Sequence, residues 1–338
     1  MVEKLTPKPY ARLYKMLGED LIKDEKTALI ELIKNSYDAD ATWVTVNFNN
    51  FGENFRVTET SEIVIEDNGD GMTQKTIREE WINPANPNKK NQKNINTKTR
   101  KGRTLQGEKG IGRFSMFKLG KTVILHTKHE DEVNEIRVVI DLSNYDDDYI
   151  TNTEEKSALF LEDVKMYLSE RSKSTFEKTT KIAKSFKKSE NGTRLIISNL
   201  LGTWNPKKVR EVYYEIAALQ SISPIIKDWD ENKGLDDFNK GVREFSIYFL
   251  IDGVETSHKK DYEENLVRLL NLIKEKSFLK VKNGFFNDKE KKFYYDLNNE
   301  SKSIKITDPE LKELKVYKRY FVEERMNFED SIIRSRIN

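Results

Sequence analysis

The chain has no cysteine in its 338 residues. Disulfides, thiolate zinc sites and cysteine nucleophiles are therefore excluded. It also lacks any run approaching the ~20 apolar residues that span a bilayer, and its start lacks the apolar core of a secretory leader. A strong field of one sign is missing too: charged residues make up 34% of the chain, yet the net charge is +2. Nothing global therefore argues for nucleic acid. These absences predict a cytoplasmic protein with no membrane partner, long enough for two domains with real cores. Glycine is sparse at 15 residues, so its clustering is informative. Gly69 and Gly71 form one cluster, and Gly107, Gly110 and Gly112 another.

Three segments carry most of the chemistry. The first is Glu31-Leu32-Ile33-Lys34-Asn35-Ser36-Tyr37-Asp38-Ala39-Asp40. Apolar residues recur at Leu29, Ile30, Leu32 and Ile33, and no Pro or Gly interrupts Glu25 to Tyr37. The spacing predicts a helix. Glu31, Asn35 and Asp38 then share nearly one face. A carboxylate there can polarise a water as general base, and an amide oxygen can ligate magnesium. The same residues also suit a plain solvated helix face.

The second segment follows a β-branched run, Ile63-Val64-Ile65, that reads as a strand ending in Asp67-Asn68-Gly69-Asp70-Gly71-Met72. An Asp at the end of a buried strand can accept a hydrogen bond from a purine amino group, and such a site discriminates strongly between bases. The segment also suits a simple turn, with Met72 in the core. The third segment is Gly107-Glu108-Lys109-Gly110-Ile111-Gly112-Arg113-Phe114. Its backbone N–H groups can form an anion-binding nest ahead of a helix start. Lys109 and Arg113 can meet phosphate charge or sit exposed. The order G-x-x-G-x-G is not the dinucleotide fingerprint. Gly120-Lys121-Thr122 is not a P-loop either: Ser115 stands where the earlier glycine belongs, and a strand follows.

Taken in order, the three segments resemble the N, G1 and G2 boxes of the GHKL ATPase superfamily. That superfamily includes gyrase-type topoisomerases, ninety-kilodalton heat-shock chaperones, sensor histidine kinases, MutL and MORC proteins. Asn191-Gly192-Thr193-Arg194, leading into Leu195-Ile196-Ile197, resembles a fourth element. The resemblance implies ATP and Mg2+ as ligands and slow ATP hydrolysis. It implies Glu31 as general base, Asn35 as magnesium ligand and Asp38 as a supporting acid. Asp67 would read the adenine, with Gly71 and Met72 lining the base and Thr193 helping to fix it. Gly107, Lys109, Gly110, Ile111, Gly112, Arg113 and Phe114 would form the phosphate-contacting end of a mobile lid. Sensor kinases in the superfamily lack the glutamate at the position of Glu31, so a hydrolase is favoured. His126, His129 and His258 are the whole histidine supply. None sits in a phosphoacceptor-like helix, and His126 and His129 read as ordinary strand-end residues.

The resemblance implies an α/β two-layer sandwich, the Bergerat fold: a mixed, mostly antiparallel sheet with helices on one face, followed by a smaller C-terminal α/β domain. The expected boundaries are an ATP-binding domain over 1–204, with an N-terminal strap at 1–24 and a lid at 83–112, and a transducer-like domain over 205–338. The stretch 83–103 carries Pro84, Pro87 and seven basic residues, which suits a lid. The strap is predicted helical from Tyr10 to Leu21. Its Leu5, Tyr10, Leu13, Tyr14, Met16 and Leu17 suit either a partner subunit or their own domain. Strands are expected at 42–48, 121–128, 134–141, 245–251 and near 281, with one at 195–198 closing the sheet. Helices are expected near 158–169, at 209–219, at 267–273 and at 320–335. Lys280 and Lys282 are candidates for a lysine reaching the γ-phosphate, although a solvated strand face is the favoured reading of both.

Within the superfamily the stretch Glu31 to Thr42 looks closer to MORC and MutL proteins than to the chaperones, and the Gly107–Phe114 loop resembles that of prokaryotic MORC-like ATPases. That implies a homodimer formed on ATP binding, gating an effector domain or partner protein in phage defence, with nucleic acid admitted as a partner. The rival readings are a chaperone ATPase acting on protein clients and an ATP-gated assembly module for a partner nuclease. The charged pattern after 320 suits either the ATPase portion of a longer protein or a short member with a separate effector.

Overall fold

The computed structural model describes residues 7–83, 98–107, 112–145, 159–172, 191–220, 245–276, 281–287, 292–297 and 300–305. The chain divides into two units, Met1–Asn265 and Leu266–Asn338.

The first unit is built on an eight-stranded sheet. Its strands are β1 (Trp43–Asn49), β2 (Glu62–Asp67), β3 (Gly120–Lys128), β4 (Glu135–Asp141), β5 (Met166–Arg171), β6 (Gly192–Leu200), β7 (Ser246–Ile251) and β8 (Val254–Glu255). They lie in the order β5-β4-β3-β6-β2-β1-β7-β8. Every neighbouring pair is antiparallel except β1 with β7. The strands alternate in burial as the period of two requires. Val44, Val46, Phe48, Ile63, Ile65, Leu195, Ile197, Val123 and Leu125 are all buried on one face.

The helical layer covers that face. Its helices are α1 (Leu13–Lys15), α2 (Glu25–Asp38), α3 (Gln74–Thr76), α4 (Met116–Leu119) and α5 (Pro206–Ile216). α2 starts where Asp24 caps it, accepting from the Thr27 amide at 2.8 Å. Its buried Ala28, Leu29, Leu32, Ile33 and Ser36 face the sheet, and it packs against α4 and α5. This is the mixed α/β architecture expected. On the opposite face, polar side chains are buried in pairs: Glu66 with Arg194 at 2.8 Å, and His126 with Glu135 at 2.6 Å. Both His126 and Glu135 are buried, so His126 is not a mere strand-end residue.

Three expectations need correction. β6 does not close the sheet but lies in its middle, because its inward Leu195 and Ile197 sit between apolar rows of β2 and β3. Around 158–169 a single helical turn (Leu161–Asp163) gives way to β5. The sequence there alternates, with Met166 and Leu168 partly covered and Tyr167 exposed. The first unit runs to Asn265 rather than ending at 204, because β7 pairs in parallel with β1. The strap is helical from Leu13 to Asp20, within the span expected, with α1 widening into a π-helical turn at Met16–Asp20. There a Cβ on Gly18 would fall 2.7 Å from the Phe114 carbonyl, so the backbones are in close approach.

The strap divides its apolar residues. Ala11, Tyr14 and Leu17 are buried in their own domain, Tyr14 against Phe114 and Phe117. Tyr10 stacks on Phe160 at 4.8 Å but stays half exposed, as does Met16.

The helix α6 (His258–Lys276) takes in the boundary between the units. In the second unit, β9 (Val281–Asn287), β10 (Lys292–Leu297) and β11 (Glu300–Lys305) form an antiparallel sheet in the order β11-β10-β9. Lys282 lies on β9; Lys280 and the helix expected at 320–335 fall outside the described residues. Among the described residues no helix is long and apolar enough to cross a membrane.

Candidate functional site

α2 presents Glu31, Asn35 and Asp38 along one side, each partly exposed while the opposite side is core. Glu31 Oε1 pairs with Lys34 Nζ at 2.9 Å, one turn on. Its other oxygen faces Gly112: a Cβ added there would lie 2.9 Å from Glu31 Oε2. The glycine-rich segment therefore returns to the fold directly against the candidate base. Asn35, one turn beyond, keeps its carbonyl in the helix by accepting from the Ala39 amide at 3.0 Å. Its side-chain amide carries the oxygen donor.

The floor of the site is a row across three strands. Asp67 on β2 is register partner to Thr193 on β6, and Thr193 to Thr127 on β3. The next rows on this face, Ile65–Leu195–Leu125 and Ile63–Ile197–Val123, are wholly apolar. Asp67 accepts from Ser36 Oγ at 2.7 Å and from the Gly69 amide at 2.8 Å. Burial dominates over these donors and pushes its carboxyl up to about 6. Thr127 Oγ1 accepts from the Met72 amide at 2.9 Å and lies 3.1 Å from Thr193 Oγ1. Gly71 has φ +69, and a Cβ on it would meet the Lys128 carbonyl at 2.0 Å. Only glycine fits there.

The returning limb of the expected lid is held by three acids. Asp38 accepts from the amides of Gln106 and Gly107 at 2.8 and 2.9 Å. Asp40, buried with φ 58, accepts from the Thr99 hydroxyl and the Lys101 amide. Asp70 pairs with Arg100 at 3.0 Å, and Arg100 also reaches Glu130. Arg103 is buried: its guanidinium lies 4.8 Å from the Tyr37 ring centre and 5.5 Å from that of Phe245. It donates to the Ala41 carbonyl at 2.6 Å and the Tyr37 carbonyl at 3.3 Å. A cation thus caps the C-terminal end of α2, the favourable end of the helix dipole.

Two predicted phosphate contacts are otherwise engaged. Arg113 Nη2 donates to the carbonyls of Glu80 and Asn83, each at 2.6 Å, and so braces the entry to the lid. Burial lowers its pKa to about 10, which leaves it charged at neutral pH. Phe114 is core, between Tyr14 and Phe117. Gly107 and Gly112 stand at the two ends of the loop; Lys109, Gly110 and Ile111 fall outside the described residues.

Glu31, Asn35, Asp38, Asp67, Gly71, Met72, Gly107, Gly112 and Thr193 thus lie on α2, the strand ends and the two flanks of the glycine-rich loop, the elements that border the candidate nucleotide recess. Ser36, Asp40, Arg103 and Thr127 join them, and sequence reasoning had not singled them out. The available signal for Thr127 was a polar residue continuing the inward row Val123, Leu125. The donor set fits a magnesium nucleotide: an amide oxygen suits a hard cation, a buried acid suits an amino group, and the space beside Gly112 is one a Cβ would fill.

The comparisons agree. Residues 23–190 match the family model described as histidine kinase-, DNA gyrase B-, and HSP90-like ATPase. A Herpetosiphon aurantiacus protein described as "Putative type II restriction enzyme HgiDII" is 31% identical over 101 residues, which are 30% of this chain and 14% of that protein. Residues 23–190, which carry α2, β2 and the strands β3 and β4, thus form a domain of the histidine kinase-, gyrase B- and HSP90-like (GHKL) family.

Proposed function

We propose that the chain binds Mg·ATP in this recess and hydrolyses it slowly. The observation that carries the reading is that α2 meets both parts of the site: Glu31 stands against Gly112, and Ser36 on the sheet-facing side donates to Asp67 on the Asp67–Thr193 floor. In this reading the Asp67 carboxylate accepts the exocyclic amino group of adenine, with Gly71 and Met72 beside the base. Asn35 would hold magnesium, which when bound supplies neutralisation of triphosphate charge. Glu31 accepts a proton from the attacking water, and Lys34 fixes its orientation through their 2.9 Å contact. The glycine-rich sequence from Gly107 to Gly112 supplies backbone amides for the phosphates, and Arg113 acts by bracing the lid entry.

The lid then works as a gate. Residues 99–107 form its fixed stem, tied to Asp38, Asp40 and Asp70. The γ-phosphate supplies contacts that ADP cannot, and only such differential contacts shift an equilibrium. Closure favours a homodimer through the strap, where Tyr10 and Met16 keep exposed apolar surface. The output is a separate effector activity, and the second unit serves as a transducer. The likeness to a protein described as a restriction enzyme supports a DNA-acting effector in phage defence over a chaperone role.

The test is ATP turnover alone, with long duplex DNA and with an unfolded protein. Stimulation by DNA supports this reading. Stimulation by unfolded protein alone replaces it with the chaperone, and stimulation by neither with an assembly module for a partner nuclease.

A further inference from the structure

The hydroxyl of Thr127 has three neighbours and a fixed supply of one proton and two acceptor sites. The Met72 amide, 2.9 Å away, can only donate to it. The Gly192 carbonyl, 3.1 Å away, can only accept from it. These two contacts consume the proton and one acceptor site. The third neighbour, Thr193 Oγ1 at 3.1 Å, can then engage only by donating its own proton to Thr127. That leaves the Thr193 oxygen with lone pairs alone toward the recess. Beside it in the strand register stands Asp67, an acceptor when ionised.

We propose that Thr127 is a positioning residue that sets the hydrogen-bond polarity of the base-binding floor, making Thr193 an acceptor so that the floor selects a purine bearing an exocyclic amino donor over one bearing a carbonyl there. The proposal rests on the nucleotide-site reading above and deepens it. Thr127 itself is buried and acts through Thr193 and Met72. Its placement on the helix-facing side of β3, where Val123 and Leu125 are apolar, has no need of a hydroxyl for packing. Valine fills nearly the same space, so the hydroxyl can be removed while the shape is kept. Without it Thr193 is free to rotate and donate, which accommodates the carbonyl of a guanine.

The experiment compares Mg·ADP and Mg·GDP affinity in the wild type, Thr127→Val and Thr127→Ser, with melting temperatures alongside. Thr127→Val should weaken ADP about tenfold and shrink the ADP-over-GDP preference by at least as much, since one hydrogen bond and its direction are lost. Thr127→Ser should restore the preference. Thr127→Cys, which keeps the volume but accepts poorly, should follow valine and serves if valine does not fold. A lowered melting temperature with an unchanged preference overturns the proposal, as does failure of serine to rescue. Asp67→Asn separates the two readings: if it binds ADP as the wild type does, the base site itself is wrong and the role of Thr127 falls with it.

Discussion

Asp67 carries the most consequential charge in the recess. Its carboxyl is raised from 3.8 to about 6 because it is buried, and two donors only partly offset that cost. A raised folded-state pKa means the native state binds a proton more tightly than the unfolded chain. Stability from this group is full below pH 4 and is lost as pH rises through 6, by on the order of 3 kcal/mol. Denaturant titrations from pH 4 to 7 should show that decline in the wild type, and Asp67→Asn should flatten it. A nucleotide amino group favours the ionised form, so ADP affinity should strengthen as pH climbs from 5 to 7. An affinity level across that range would remove Asp67 from the base contact. The identity of this residue was legible in the sequence, since a β-branched run ending in Asp-Asn-Gly-Asp-Gly announces a strand and its turn. Ser36 was not, and Thr127 was marked only as a polar residue in an apolar row, because the role of a hydroxyl is not fixed until the register places it beside a partner.

At the scale of elements, the lid stem joins parts of the chain distant in sequence. Arg103 lies between Tyr37 at the end of α2 and Phe245 at the entry to β7. Sequence reading counted Arg103 among the charges of a polar stretch, because nothing local shows that a long side chain turns inward. It is in fact buried and donates to two carbonyls. Charged hydrogen bonds and the cation–π contacts together suggest that Arg103→Met costs about 3 kcal/mol, readable by urea unfolding. Arg103→Lys should recover less than half, because a single ammonium cannot span both carbonyls between two rings. A neutral effect of both variants would mean that the stem is not fixed there. The long elements were legible: α2 by its uninterrupted apolar period, β3 and β4 by alternation. The misread elements share one cause. β5 and β6 take their places from pairing partners far away in sequence, and no local pattern reports sheet order. Gly112 offers a separate check on the loop. Gly112→Ala places a methyl against Glu31 Oε2, so turnover should fall by about tenfold or more while ADP affinity changes little.

For the whole molecule the claim is a nucleotide-gated switch. Sedimentation of Glu31→Ala with ATP, with ADP and without nucleotide should give a dimer with ATP alone, and Tyr10→Ser with Met16→Ser should weaken it. An oligomeric state indifferent to nucleotide would remove the gate while leaving the pocket intact. The pocket is the central claim, and it separates binding from chemistry between two acids on different elements. The most direct measurement is therefore Mg·ADP affinity and ATP turnover in one preparation each of the wild type, Glu31→Gln and Asp67→Asn. The account predicts that Glu31→Gln binds like the wild type but loses at least 100-fold in turnover, as removal of a general base does, and that Asp67→Asn loses binding. Wild-type turnover by Glu31→Gln would contradict it.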